Sequence, residues 1–330
     1  MRIAVAGSIA TDHLMVFPGR FADQLLEGRL AAVSLSFLAD RVEVRRGGVG
    51  ATIALGLARL GLRPLLVGAA GADFAGYGRW LADAGVDTSG VRVSATLPTA
   101  RFVRTTDEEQ NRIVAFHPGA MSEAHRIDIA EAHRRRRIGL ILVGADDPAA
   151  MLRHTATAHR LGIPVVADPS RQLAGLDAEE ARSLVTGARC LLTDACERAL
   201  LLERTGWSEQ DVLRRVGTWA VTHGAEGVRL LAAGQPPVEV PAVAARRVAG
   251  PAGGDGLRAG FLAGLFWGLP PERAAQLGCA VATAVPEFAG TEEYRLVPAD
   301  LLASVERGYG GEAARELAAR LDPATVGAPA

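Results

Sequence analysis

The chain of 330 residues is 49% hydrophobic and 22% charged, enough for one large or two small domains to bury a core without disulfides. A formal net charge of −1 leaves no electrostatic footprint for nucleic acid or an anionic membrane surface. Every basic side chain is arginine, which excludes chemistry that needs a lysine, such as a Schiff base or a P-loop. Cys190, Cys196 and Cys279 are too few and too far apart for a disulfide framework or a zinc site. The seven histidines are scattered, so a metal held by imidazoles is not expected. The opening MRIAVAG lacks a charged segment before a long apolar one, and no apolar run approaches the roughly 18 residues of a spanning helix. A reduced, cytoplasmic protein is the expectation.

In chain order, short apolar runs at 2–6, 64–68, 139–143, 164–167 and 190–193 read as buried strands. Amphipathic stretches at about 51–60, 76–84, 148–161, 178–184 and 197–202 alternate with them as helices. That alternation predicts a doubly wound α/β domain with a mostly parallel sheet. Two segments break it. Residues 31–45 and 99–117 alternate polar and apolar residues with period two, as in VSLSFLADRVEV, RFVRT and NRIVAF. They predict a small antiparallel sheet, inserted into the single domain as a lid over a site. Arg134 to Arg137 read as a solvated helix end, and the tail after Leu321 reads as disordered.

Four places could carry chemistry. GPAGGDGLRAG, from Gly250 to Gly260, reads as a glycine-rich turn feeding the apolar helix FLAGLFWGL. Free amides and the positive dipole end of such a helix make an anion site. Asp255 stands there, either as a plain N-cap or as a base taking the proton of a hydroxyl that attacks phosphorus. A second glycine cluster, RRGGVG, opens the helix after Arg45 and otherwise serves tight packing. A third, VTHGAEGVRL, places Gly224 and Gly227 in a tight turn that could equally be an ordinary loop. The first strand runs into GSIATDH, which predicts Asp12 in the crevice at the carboxyl end of a parallel strand, where open α/β sheets bind ligands.

Taken in this order, these segments resemble the ribokinase-type (PfkB) family of sugar and nucleoside kinases, over nearly the whole chain. Within that family the chain is most similar to the adenosine kinases of actinobacteria. GSIATDHLMVFPGRF, VSLSFLAD, GGVG, VGAAGADFAGY, VAFHPGAMSEA, ADPSRQLAGL and RAGFLAGL carry the likeness. The resemblance implies a ribokinase-like fold with a β lid, often paired with a second subunit's lid as a homodimer. It also implies phosphoryl transfer from ATP with Mg2+ to the ribose 5′-hydroxyl of an adenosine-like nucleoside. By position, Ser8, Asp12, Gly48 and Thr52 would line the sugar, while Phe102 and Phe116 would stack on the base and Phe37 and Gln172 would complete its pocket. Lid core packing is the plain alternative for the phenylalanines. Asp255 would be the base and Gly253 and Gly254 the anion hole. Asp194, Glu197, Thr222, Gly224 and Gly227 would serve the nucleotide, with Glu197 linked to the metal through water.

The chain departs from the family on the donor side. Where the family has Asp, Thr and then Gly-Ala-Gly-Asp, this sequence has Ala249, Gly250, Pro251 and then Ala252-Gly253-Gly254-Asp255. Ala252 adds a Cβ where a phosphate should approach the backbone. Thr52 and Asp194 stand in place of two asparagines, and Gly175 in place of an arginine. The sequence therefore leaves three readings open: an ATP-dependent nucleoside kinase, an ATP-independent nucleoside 5′-monophosphate phosphatase, and a nucleoside-binding protein without catalysis.

Overall fold

The computed structural model describes residues 1–24, 36–244, 251–285 and 294–321, with backbone only at 251 and 252. The strands are β1 (Arg2–Ala6), β2 (Ala10–Val16), β3 (Arg41–Gly47), β4 (Leu65–Ala70), β5 (Asp87–Val93), β6 (Ala100–Thr106), β7 (Arg112–His117), β8 (Ile138–Val143), β9 (Val165–Ala167), β10 (Cys190–Asp194), β11 (Thr218–Thr222), β12 (Gly227–Leu231) and β13 (Val238–Pro241). The helices are α1 (Val49–Arg59), α2 (Ala75–Asp83), α3 (Ile129–Arg136), α4 (Pro148–Arg160), α5 (Ala178–Val185), α6 (Ala195–Thr205), α7 (Glu209–Leu213), α8 (Pro251–Phe266), α9 (Pro271–Ala284), α10 (Pro298–Tyr309) and α11 (Gly311–Leu321).

A nine-stranded sheet runs in the order β13-β12-β11-β10-β9-β8-β1-β4-β5. It is parallel except at β11–β12 and β12–β13. Successive side chains of a strand face opposite sides, and the two cores sort accordingly. Ile3, Val5, Leu140 and Leu142 pack with α1, α8 and α9, whereas Ala4, Ala6, Ile141 and Val143 pack with α4, α5 and α6. Acidic N-caps start the second set: Asp147 ahead of Pro148, and capping boxes Asp177/Glu180 and Asp194/Glu197. The chain leaves β1 towards β4 on one side and β8 continues the sheet on the other, so the switch point of the topology lies where β1 and β8 end.

A separate four-stranded sheet runs β3-β2-β6-β7. It corrects three sequence expectations. It is mixed, because β2 and β6 run parallel. Its first segment is displaced from 31–45: β3 covers Arg41–Gly47, residues 36–39 are irregular, and 31–35 lie outside the described residues. It also recruits β2, so Asp12 stands on a strand of this small sheet, past the end of β1. Ala249, Gly250 and the tail after Leu321 lie outside the described residues.

Candidate active site

The small sheet lines up one row. Arg45 pairs with Asp12, Asp12 with Phe102 and Phe102 with Phe116, so the four side chains share one face. Arg104, two residues beyond Phe102, faces the same way. Phe116 is 48% exposed on the outermost strand. Burial lifts the Asp12 carboxyl to about 6, opposed by the charge of Arg104 and reinforced by that of Asp255. The strand ends are pinned to the large domain. Tyr77 donates to the Gly47 carbonyl at 3.2 Å, and Thr99, just before β6, donates to Asp73 at 2.6 Å.

Gly48 joins β3 to α1 with φ 96°, and an added Cβ would stand 2.5 Å from the Ser8 carbonyl oxygen. Only glycine fits this turn. Ser8 completes the junction, its Oγ accepting from the Val49 amide at 3.1 Å and its carbonyl from Gly50 at 3.0 Å.

Helix α8 begins at Pro251, so Gly253, Gly254 and Asp255 lie in its opening turns and not in a turn ahead of it. Asp255 is therefore no N-cap. The first three amides of a helix have no intrahelical partner, and proline has none to offer, which leaves those of 252 and 253, while the Gly254 amide enters the helix ladder. Asp255 is set by packing between two helices. Gly56 of α1 lies so near Ala259 of α8 that a Cβ on Gly56 would approach Ala259 Cβ to 2.6 Å. One turn earlier on both helices, Thr52 meets Asp255, and Thr52 Oγ1 donates to Asp255 Oδ2 at 2.6 Å. On its other side α8 approaches α9 through Gly256, Gly260 and Gly264. Burial raises the Asp255 carboxyl to about 6; Arg258 and the Thr52 hydroxyl hold it lower than burial alone would. A carboxyl near 6 is ionised at neutral pH yet basic enough to accept a proton.

The donor-side residues gather at the ends of β10 and β11. Asp194 and Thr222 are register neighbours. Asp194 accepts from the Glu197 amide at 2.7 Å and Glu197 from the Asp194 amide at 2.8 Å, while Ser170 Oγ reaches Glu197 at 3.2 Å. This reciprocal box accounts for both acids structurally and leaves Glu197 lone pairs for a water. Gly224 has φ 58° with open space where a Cβ would sit, so its backbone can be approached. Gly227, by contrast, is required by the fold, because a Cβ there would stand 2.1 Å from the Val240 carbonyl oxygen.

Two assigned residues stand apart from the Asp12 row. Phe37 rests against Phe17 and Phe21, with centroids at 5.0 and 5.3 Å. That cluster lies beyond the end of β2, roughly 13 Å along the strand from Asp12. Gln172 lies in the turn after β9 and donates through Nε2 to the Asp146 carbonyl at 2.6 Å. Asp146 follows β8 at the switch point, fully enclosed, with Oδ2 unpartnered among the described residues and its carboxyl pushed up to about 8 by burial.

Sequence reasoning missed Asp168 and Arg258. Both stand in segments carrying the family likeness, ADPS and RAGF, and the visible signal was an arginine three residues after Asp255 in an otherwise apolar helix. Arg258 grips the buried Asp168 through Nε and Nη2, the latter at 3.1 Å. Among the described residues no cluster of His, Cys, Asp or Glu could by itself hold a metal, and no helix is long and apolar enough to cross a membrane.

Comparison with known proteins agrees with this architecture. Residues 8–295 match the pfkB family of carbohydrate kinases. A nucleoside kinase of Methanocaldococcus jannaschii is 26% identical over 249 residues, 74% of this chain and 80% of that protein. The structure of a Burkholderia thailandensis nucleoside kinase in complex with inosine superposes with TM-score 0.83 at 31% identity, covering 94% of this chain and 98% of that one. The same kinase in complex with ADP-inosine gives 0.79, also at 31%, covering 94% and 96%. A ribokinase of Thermotoga maritima, at 20% identity over 93% of this chain and 99% of that one with TM-score 0.74, shares the fold. The chain belongs to the pfkB family of carbohydrate kinases and is a phosphotransferase.

Proposed function

We propose that this protein transfers a phosphoryl group from ATP to the 5′-hydroxyl of a purine nucleoside, adenosine or a close analogue. The observation that carries the reading is Asp255: a carboxylate near neutral basicity, fixed by Thr52 in the first turns of α8, beside the acidic end of the Asp12–Phe102–Phe116 row. The row offers a carboxylate for ribose hydroxyls and two aromatic faces for a planar base, with Gly48 and Ser8 at the sugar. The small sheet then acts as a lid. In the reaction the 5′-oxygen bonds to the γ-phosphorus, the bond from that phosphorus to the β-phosphate bridge breaks, and the hydroxyl proton passes to Asp255. Of the two glycines, Gly253 has the amide left free by the helix and would meet the transferring group.

The nucleotide would lie against Asp194, Thr222, Gly224 and Gly227, where Gly224 leaves room for a close approach. The Glu197 carboxylate, with free lone pairs beside its capping bonds, suits water-mediated support of Mg2+, which when bound would neutralise phosphate charge. Val42, Val44, Ile113 and Val114 leave the small sheet with exposed apolar area, and we infer that it pairs with a second copy. Sedimentation at micromolar concentration should give a dimer; a monomer would remove this inference.

A product assay over a nucleoside panel, with and without ATP, tests the function. The expected product is a nucleoside 5′-monophosphate formed only with ATP. Conversion of AMP to adenosine without ATP, lost in Asp255→Asn, would replace the kinase reading with the phosphatase one.

A further inference from the structure

We propose that Arg258 is a catalytic residue whose Nη1 contacts the transferring phosphoryl group, and that Asp168 is the positioning residue that aims it. This rests on the phosphotransfer reading of the α8 site. Side chains on a helix lean toward its N-terminus, so residue 258 reaches back over residue 254. The structure follows that rule: a Cβ built on Gly254 would lie 3.2 Å from Arg258 Nη1. Asp168, with no exposed surface, takes Nε and Nη2 of the same guanidinium. A two-point grip on a planar fork fixes its orientation. The third nitrogen then stands over Gly254 in the opening turn of α8, one residue from the free amide of Gly253.

Charge gives this nitrogen a task. Asp168, Asp255 and Glu197 all act on Arg258, and Arg258 is the cation whose charge acts on Asp255. Three carboxylates around one guanidinium would repel an incoming phosphate unless the cation faces it. The same stretch has exchanged the family's Asp and Thr for Ala249 and Gly250, so this side of the site has lost polar groups that Arg258 can replace. As the 5′-oxygen bonds to phosphorus and the bridge to ADP breaks, charge on the equatorial oxygens is met by Nη1 while the proton goes to Asp255.

Two measurements on the full chain separate this role from others. In ATP-dependent phosphorylation of adenosine, Arg258→Met should lower the plateau kcat above pH 7.5 by roughly 10²–10³-fold. Arg258→Lys should recover part of it, because the charge returns without the fork. Asp168→Asn should lose about tenfold, and the adenosine Kd should stay within about twofold in all three. A plateau that is kept while only the acid limb moves would mean that Arg258 merely tunes Asp255, and would overturn the proposal. So would parallel loss of adenosine binding, which marks a structural role. Calorimetric titration with inorganic phosphate is the second readout. Arg258→Met should weaken it at least tenfold, and unchanged affinity would overturn the contact. If the wild type neither binds nor phosphorylates any nucleoside, the acceptor reading falls, and the phosphate titration alone decides Arg258.

Discussion

The opening turns of α8 and the small sheet carry the two halves of the proposed chemistry and are built in opposite ways. The first is held by close helix approaches, Gly56 of α1 on Ala259 and Gly260 on Gly278 of α9, with Gly48, the N-cap of α1, folded under Ser8. The second presents a half-exposed Phe116 beside the partly buried Phe102 and Arg104, supported mainly by ladder hydrogen bonds. Where atoms must stay within tenths of an ångström of a reacting group, the chain uses glycine and helix packing. Where a ligand must enter, it leaves aromatic surface uncovered. Substitutions should therefore cost stability at the first region and affinity at the second.

The largest effect on folding is expected at Gly48→Ala. With φ 96° and no room for a Cβ, about 2–4 kcal/mol should be lost in urea denaturation. A loss below about 0.5 kcal/mol would break the comparison, since it would make the junction pliable. Phe116→Ala sharpens it from the other side. It should cost roughly 1–3 kcal/mol of nucleoside affinity by calorimetry, with stability nearly unchanged because the ring is half exposed. Equal binding of adenosine and free ribose by the wild type would mean that the rings pack the sheet only.

Thr52→Val should act more gently and through Asp255. The hydroxyl holds that carboxyl down, so its loss should shift the acid limb of the rate upward from about pH 6. It should also lower the plateau about tenfold, one charge-assisted hydrogen bond being worth roughly 1.5–3 kcal/mol. The sign follows from the base being active only when ionised: the rate rises with pH through the carboxyl's own pKa. For stability the sign is reversed. A carboxyl that takes up its proton more readily folded than unfolded makes the protein less stable as pH climbs from about 4 to 6, so Asp255→Asn should raise Tm at neutral pH.

Much of the large sheet was legible because β1, β4, β8 and β10 are apolar on both faces and alternate with capped helices. The small sheet was legible only in part. ATDHLMV has no clean period, and its place beside β3 and β6 is set by pairing with distant segments. The start of α8 read as a turn because GPAGGDG has poor helix propensity. Tertiary packing overrides it, since Gly256 lets α8 meet α9 and Gly56 of α1 lets Ala259 approach on the other side. The Arg258–Asp168 pair spans 90 positions and leaves no local trace. Asp255, Thr52, Phe102 and Phe116 could be named from sequence; the Asp255–Thr52 contact and the Phe102–Phe116 register needed coordinates.

The central claim, that Asp255 is the base of an ATP-dependent transfer to a nucleoside hydroxyl, is tested most directly by a single-turnover rate of adenosine phosphorylation in wild type and Asp255→Asn, with adenosine Kd measured alongside. The amide keeps the size and the contact with Thr52 but cannot take the proton. The rate should fall by roughly 10²–10⁴-fold with Kd nearly unchanged. A rate within threefold of wild type would contradict the account.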